Sequence, residues 1–241
     1  MIFNNLPLTI SSTQANKIVQ VLNVFETASK EGKYDTLVVY DDFLFNTKRY
    51  KQITYGKSQT TEFGNLKTLL QMYVSSNGMY SGSINPYIND IGIINGGIPK
   101  SLYNDENFKT LLRKAAKEDF KMKQVQDQFF ERYYFQPALA FFTHHQFTTA
   151  LSLLVIYDSF IHSGSILKHL RQRFSEVPPL QGGNEKRWIQ QYVDTRHEWL
   201  ANHTYNTLRK TIYRTDLLRR LIADNNWDLA KTFTTQRFNF D

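Results

Sequence analysis

The segment Phe25–Thr61 reads FETASKEGKYDTLVVYDDFLFNTKRYKQITYGKSQTT. An apolar helical pattern ends beside a carboxylate, Glu26. A polar connection containing Gly32 and Lys33 leads into an apolar run, Thr36 to Tyr40, which stops on a carboxylate pair, Asp41 and Asp42. A second short run, Ile53 to Tyr55, ends at Gly56. This pattern predicts a helix, a loop and an antiparallel hairpin, with acids at the end of the helix and at the end of the first strand. The stretch from Phe43 to Gln52 is long for a hairpin tip and reads as a flap.

Upstream, Ser11 and Ser12 are N-cap residues, and Ala15, Ile18, Val19, Leu22 and Phe25 recur at helical spacing. Glu26 closes that helix next to its apolar face. A carboxylate at a helix C-terminus meets an unfavourable dipole, and apolar neighbours disfavour its charged form. Both conditions suit a proton donor. Downstream, Thr60 or Thr61 is expected to cap a helix with Leu66, Leu69, Leu70 and Tyr73 on its apolar side. A short helix near Ile84 to Ile91 and a glycine-rich loop, INGGIPK, follow.

From Asn104 onward the pattern is helical: Asp105 to Ala116, Asp119 to Tyr134 and on towards His145 with a kink at Pro137, then the strongly apolar Thr148 to Ile161. Asp158 lies inside that last helix and needs partners there; it is either a structural hub or part of a cleft. Ile166 to Phe174, Arg187 to Asn202 and Asn206 to Ala223 complete the helices, and Thr232 to Phe240 forms a short strand or an extended wrap. The expectation is a mainly α (α+β) protein, one domain over 1–241 with two lobes. A small antiparallel β element near residues 36–56 would lie beside the cleft.

The 241 residues carry a formal charge of +7 and no cysteine, which excludes disulfides and thiolate chemistry. The positive balance favours polyanionic partners. His144 and His145 project about 100° apart on a helix and cannot chelate together. No Walker or nucleophile-elbow sequence occurs, so neither cofactor nor metal is expected. LRKTIYRTDLLRR comes closest to a nucleic-acid stripe, but its cations interleave with an apolar helix face, so no nucleic acid is expected. No apolar run reaches the ~18 residues of a membrane helix, so no membrane insertion is expected. The start, MIFNNLPLTI, lacks the basic region of a secretory signal.

What remains is the carboxylate constellation. Inverting cleavage of a glycosidic bond needs an acid for the leaving oxygen and a base for water, roughly 6.5–9.5 Å apart. Glu26 supplies the first, Asp41 or Asp42 the second, and Thr54 on the facing strand offers a hydroxyl to hold the water.

The phrases FET, ITYG, GNL, QDQFFERYYFQPA, VIYDSFIHSGS, WIQQYVDTRHEWLANH, LRKTIYRTD and DNNWDLA, in that order, resemble the chitosanases of glycoside hydrolase family 46 and their chitosanase-like, peptidoglycan-active relatives. The resemblance runs along the whole chain. It implies a lysozyme-like two-lobed fold and an inverting glycoside hydrolase acting on β-1,4 bonds of an amino-sugar polymer. It implies Glu26 as proton donor, Asp41 or Asp42 as base (Asp41 preferred) and Thr54 as the residue that positions water; Tyr55 and Asn65 are expected to line the cleft, and Asp158 and Arg196 to belong to its wall or to its supporting network. Where chitosanases carry an Asp that receives the substrate amine, this chain has Asn65. With the +7 charge, that departure tilts the expected substrate from chitosan towards peptidoglycan: a muramidase-like, bacteriolytic cell-wall enzyme. A true chitosanase is the alternative, and a non-catalytic cell-wall-binding module of a phage-like or secretion particle is the rival from another class. Action is expected in the cell envelope or outside the cell after non-classical delivery, with a delivery particle or an immunity protein as partner.

Overall fold

The computed structural model describes residues 6–57, 59–235 and 237–241. The chain divides into two compact units: one comprises the chain up to Phe25 together with Glu131–Asp241, the other Glu26–Phe130.

Helix α1, Ser12–Thr27, opens with a capping box. The Gln14 N–H donates to Ser11 Oγ at 3.2 Å, and Ser11 N–H donates to Gln14 Oε1 at 2.8 Å. Ala15, Ile18, Val21, Leu22 and Phe25 form its buried stripe. Its last turn crosses from the first unit into the second, where Glu26 lies.

In the second unit, β1 (Leu37–Phe45), β2 (Lys48–Tyr55) and β3 (Thr60–Thr61) form an antiparallel sheet in that order. The expected flap is instead a continuation of the hairpin. Both strands run on to a two-residue turn, Asn46–Thr47, whose φ angles of 46° and 68° are those of a primed turn. The ladder shifts between Asp41 and Phe43, so Asp42 is the extra residue of a β-bulge. That insertion reverses the inward–outward alternation along β1, which is why the sequence pattern does not read as one long strand. Thr60 and Thr61 belong to β3 rather than capping a helix; α2, Leu66–Ser75, starts after Asn65.

A single turn, α3 (Ser81–Ile84), and a 3-10 turn over Asn85–Asp90 follow. The glycine-rich INGGIPK is also a hairpin, β4 (Ile93–Asn95) and β5 (Ile98–Lys100), closed by Gly96 and Gly97 at φ 58° and 76°. Helix α4, Glu106–Glu118, is capped by Asp105, whose carboxylate accepts the Phe108 N–H at 2.8 Å. Helix α5 spans Phe120–Phe130. Ile53, Tyr55, Leu66, Leu70, Tyr73, Phe108, Leu112 and Phe129 are buried in this unit.

The rest of the first unit is helical. Where a kink was expected at Pro137, a π-turn over Glu131–Phe135 leads into α6, Gln136–His144. Helix α7, Ala150–Ser163, is capped by Thr149 and buried on every side from Ala150 to Ser159. The helix expected over Ile166 to Phe174 shrinks to one turn, α8 (Lys168–Arg171). Helix α9 spans Glu185–Ala201. The helix expected from Asn206 is broken into α10 (Asn206–Arg209), a 3-10 turn and α11 (Tyr213–Ala223). The tail closes as a hairpin of β6 (Phe233–Thr234) and β7 (Asn239–Phe240).

Candidate active site

Glu26 is part-exposed, one residue before the end of α1. Within the first unit the preceding carbonyl, Phe25 O, accepts from Tyr213 Oη at 2.7 Å and from Arg214 Nη2 at 3.4 Å. Phe25 also packs edge-on against Tyr213, with ring centroids 5.8 Å apart, and lies 5.3 Å from the Arg214 guanidinium. The Phe25 end of α1 is therefore held within the first unit by α11.

The two aspartates differ sharply. Asp41 pairs in register with Lys51 and is exposed. Strand alternation puts it on the opposite face from Gln52 and Thr54. Asp42, in the bulge, is half-buried, and its Oδ1 accepts from Gln52 Nε2 at 2.6 Å. Gln52 is itself 5% exposed and accepts the Phe63 N–H on its other amide atom at 3.2 Å, which fixes both the orientation of the amide and the donor it offers Asp42. Thr54 stands two residues along β2 on the Gln52 face. It is 3% exposed, and its Oγ1 has no hydrogen-bond partner among the described residues. A buried hydroxyl in that state costs about 1–3 kcal/mol unless another atom meets it.

Asn65 is exposed at the first turn of α2, and its amide makes no capping bond, so it is available to a ligand. Glu26, Asp41, Asp42, Thr54 and Asn65 thus all belong to the second unit.

One sequence expectation is corrected, and for two residues an open alternative is decided. Tyr55 does not line a cleft: it is fully buried, and its hydroxyl donates to Leu112 O at 2.7 Å. As the strand neighbour of Thr54 it must face the other way, a constraint already present in the period of two. For Asp158 and Arg196 the cleft-wall alternative falls away, since they are 0% and 1% exposed, and Asp158 is the hub of a buried network. Arg196 Nη1 donates to Asp158 Oδ2 at 2.6 Å, and Arg214 Nη1 donates to Asp158 Oδ1 at 2.8 Å. Burial pushes the Asp158 carboxyl up, but the two guanidiniums outweigh it and hold the group at about 2. Nearby, burial followed by the same two cations pushes His162 down to about 3.

Arg214 is a buried cation that the sequence reading missed. It was grouped with the solvated cations of LRKTIYRTDLLRR, yet it is 4% exposed. Its spacing to the buried Leu217, Leu218 and Leu221 was the available signal: it lies in phase with the apolar stripe of α11.

A second network sets the far end of the sheet. Lys57, 3% exposed, pairs with Asp127 at 2.8 Å, and Tyr34 Oη donates to the same carboxylate at 3.0 Å. Gln126 accepts the Lys57 N–H at 2.9 Å and donates to Tyr34 O at 2.9 Å. Gly56, at φ 78°, leaves room for the Gln126 amide: a Cβ there would lie 2.5 Å from Gln126 Oε1. These residues of α5 bind the end of β2 to the loop that joins Glu26 to β1. Among the described residues there is no group of three or more histidines, cysteines or carboxylates that could hold a metal ion, and no helix long and apolar enough to cross a membrane.

The chain aligns at 23% identity with a curated chitosanase from Bacillus subtilis (strain 168), over 91% of this chain and 80% of that protein. Its fold matches a mutant chitosanase from Bacillus subtilis MY002 complexed with 6 GlcN, with a TM-score of 0.80 at 20% identity over 96% of this chain and 98% of the other. It also matches a Gynuella sunshinyii chitosanase in complex with chitotetraose, with a TM-score of 0.77 at 20% identity over 96% and 98%. The architecture is accordingly the lysozyme-like α+β fold of those enzymes. The family model for glycosyl hydrolase family 46 matches residues 52–233, beginning at Gln52. Glu26, the aspartate pair and the hairpin tip precede that segment, while Thr54, Asn65, Asp158, Arg196 and Arg214 fall inside it. A match over most of its length makes this chain a glycoside hydrolase belonging to family 46.

Proposed function

We propose that the protein hydrolyses chitosan, a β-1,4-linked amino-sugar polymer, with inversion at the anomeric carbon. The similarity to chitosanases supports this substrate. The observation that carries the chemistry is the pairing of Asp42 with Gln52 on the Thr54 face of the sheet. In this reading Glu26 gives its proton to the glycosidic oxygen as the bond to C1 breaks. A water held by Thr54 Oγ1 attacks C1 from the opposite side, and Asp42 takes the water's proton. The Gln52 amide donates to Asp42 and holds its carboxylate in one orientation. Asp41 faces away and has no part in the step. Neither product carries a covalent link to the enzyme, and a β-linked chain yields an α-anomer first.

Peptidoglycan is the second substrate, and Asn65 is the observation in its favour: a free, exposed amide can hydrogen-bond an acetamido group but cannot neutralise an ammonium.

The test is reducing-end release from chitosan, with sacculi run in parallel, and the anomer of the first product read by proton NMR. Glu26→Gln and Asp42→Asn are expected to lose on the order of 10²–10⁴ in rate, and Asp41→Asn to stay within a few-fold of wild type. Wild-type activity in Glu26→Gln removes it from the mechanism. Loss in Asp41→Asn with retention in Asp42→Asn moves the base back to Asp41. Release from sacculi but not from chitosan moves the substrate to peptidoglycan.

A further inference from the structure

The substrate proposed above is a polymer, so it runs on past the bond that is cut. Of the sheet, the hydrolytic step uses only Asp42, Gln52 and Thr54. Beyond them the two strands continue as an arm that ends in the tight Asn46–Thr47 turn. Paired residues of an antiparallel ladder share a face, and the face alternates along each strand. On the Thr54 face β2 presents Gln52, Tyr50 and Lys48, and their partners on β1 are Tyr40, Phe43 and Phe45. Lys51 and Arg49 fall on the opposite face with Asp41 and Leu44. The Asp42 bulge is what brings Phe43 and Phe45 to the face of Thr54.

Phe63 joins this face from beyond β3. Its ring stacks on Phe43 at 4.1 Å and 11°, and its N–H is the one that donates to Gln52. Phe43 also stacks on Phe45 at 6.3 Å and 15°. Tyr50 stands opposite Phe43 in the ladder, with Lys48 Nζ 5.4 Å from its ring centre. Phe43, Phe45, Tyr50 and Phe63 are half-buried, and Tyr40, on the other side of Asp42, is 42% exposed. Rings that belong to a core are closed off, as Tyr55 and Phe129 are at 0%, and a sheet face built only for water is polar. This face is neither. Its charged side chains, Asp42 and Lys48, stand at the two ends of the row, the first bonded to Gln52 and the second beside the Tyr50 ring.

We infer that the Thr54 face of the arm is a further sugar-binding site, in which Phe43, Phe45, Tyr50 and Phe63 take units of the amino-sugar chain beyond those at the cleavage point. A pyranose unit of a β-1,4-linked chain carries its hydroxyls and its amine around the rim and turns C–H groups to both faces. Those C–H groups are weakly positive and meet the negative face of an aromatic ring. The contact does not depend on the charge of the sugar nitrogen, so it suits a chain of free amines. Tyr50 and Lys48 lie four and six residues along β2 from Thr54, about 13 and 20 Å at ~3.3 Å per residue. That reach places the row beside units well removed from the scissile bond. Phe43, Phe45 and Tyr50 all precede the segment that the family 46 model matches. This inference rests on the reading of the protein as an amino-sugar glycosidase.

The test uses glucosamine oligomers from the trimer to the octamer. Their kcat/KM values are measured with wild type, and their binding by calorimetry on the Glu26→Gln background, so that one readout does not need turnover. Two sets of changes are compared in both assays: Phe43→Ala/Phe45→Ala, and the milder Phe43→Leu/Phe45→Leu, which keeps an apolar arm but removes the ring faces. With the native arm, affinity and kcat/KM are expected to climb with oligomer length. The leucine set is expected to lose on the order of three- to tenfold for the octamer while the trimer stays within about twofold, and the alanine set to lose at least as much. A loss of equal size for trimer and octamer in the leucine set shows that the rings only hold the sheet together and overturns the inference. So does an octamer unchanged in both sets. Wild type that cleaves no oligomer, while the octamer binds and loses affinity in the leucine set, overturns the hydrolytic reading and leaves the arm's sugar site standing. A native arm that binds octamer no better than trimer overturns the inference.

Discussion

Asp158 in the helical unit and Glu62 beside the sheet are both removed from water, at 0% and 1% exposure, and end at opposite sides of the ordinary carboxylate range. Asp158 meets two guanidiniums and is held down at about 2. Glu62 meets only neutral donors: the Ser101 hydroxyl, the Leu102 N–H at 2.7 Å and the Ile53 N–H at 3.2 Å. Burial outweighs those three bonds, and its carboxyl is pushed up. A third case lies between them. Glu185 accepts from the backbone N–H groups and hydroxyls of Thr148 and Thr149 and from the Ser152 hydroxyl, at 2.6–3.1 Å. Burial again opposes ionisation, yet these donors at the start of α7 hold the group below its usual range. The direction of the shift follows the charge and the number of the donors, not the depth of burial.

The largest test of that comparison is Asp158→Asn. It removes the buried carboxylate charge that Arg196 and Arg214 share, a change expected to cost about 3–5 kcal/mol. Thermal unfolding at neutral pH should show a drop of the melting temperature on the order of 10 °C or more. A drop of only a degree or two would mean the network contributes little. Linkage gives the matching pH test. The folded Asp158 value is depressed, so its stabilisation is full above the unfolded value of ~3.9 and is lost as pH falls towards 2.

Glu185→Ala is the intermediate case. It strips the donors of Thr148, Thr149 and Ser152 of their acceptor and should cost about 1–3 kcal/mol. Its folded value is also depressed, so the variant should lose part of the acid sensitivity that wild type shows as pH falls through the carboxylate range. Denaturant midpoints measured at neutral and acid pH check this; equal losses at both would argue that the cap works when protonated as well.

Glu62→Gln is the smallest and carries the opposite sign. Its folded value is raised, so the ionised group weakens the fold above that value and the penalty is relieved as pH falls through it. The neutral amide should cost less than about 1 kcal/mol at neutral pH, or stabilise. A loss as large as that of Glu185→Ala would show that Ser101, Leu102 and Ile53 act as ionic partners after all.

Much of this was readable beforehand where a local rule matched the fold. The N-cap at Ser11, most of the stripe of α1 and the buried α7 all follow from spacing and residue type. What was not readable needed knowledge of the partner strand or of a distant helix. The bulge at Asp42 moves Phe43 and Phe45 onto the face that their numbering denies them, and Asn46–Thr47 lacks the glycine that usually marks a two-residue turn. For the same reason Asp41 and Asp42 look equivalent in the chain, and only the register separates them. Asp158 was visible as a buried acid, but its two arginines lie 38 and 56 residues away. Nothing local distinguishes them from the solvated cations around them.

The bulge has a consequence for parity. A strand changes length without turning its side chains over only if residues are added or removed in twos, and Asp42 is the single odd insertion that sets the phase of everything beyond it. The arm from Phe43 to Tyr50 can therefore be shortened by matched pairs, or exchanged for another hairpin, while Asp42, Gln52 and Thr54 keep their places. Deleting Asp42 itself would rotate the whole arm by half a turn. The chain thus separates the bulge residue from a replaceable tip, and a change at the tip need not disturb the strand positions beneath it.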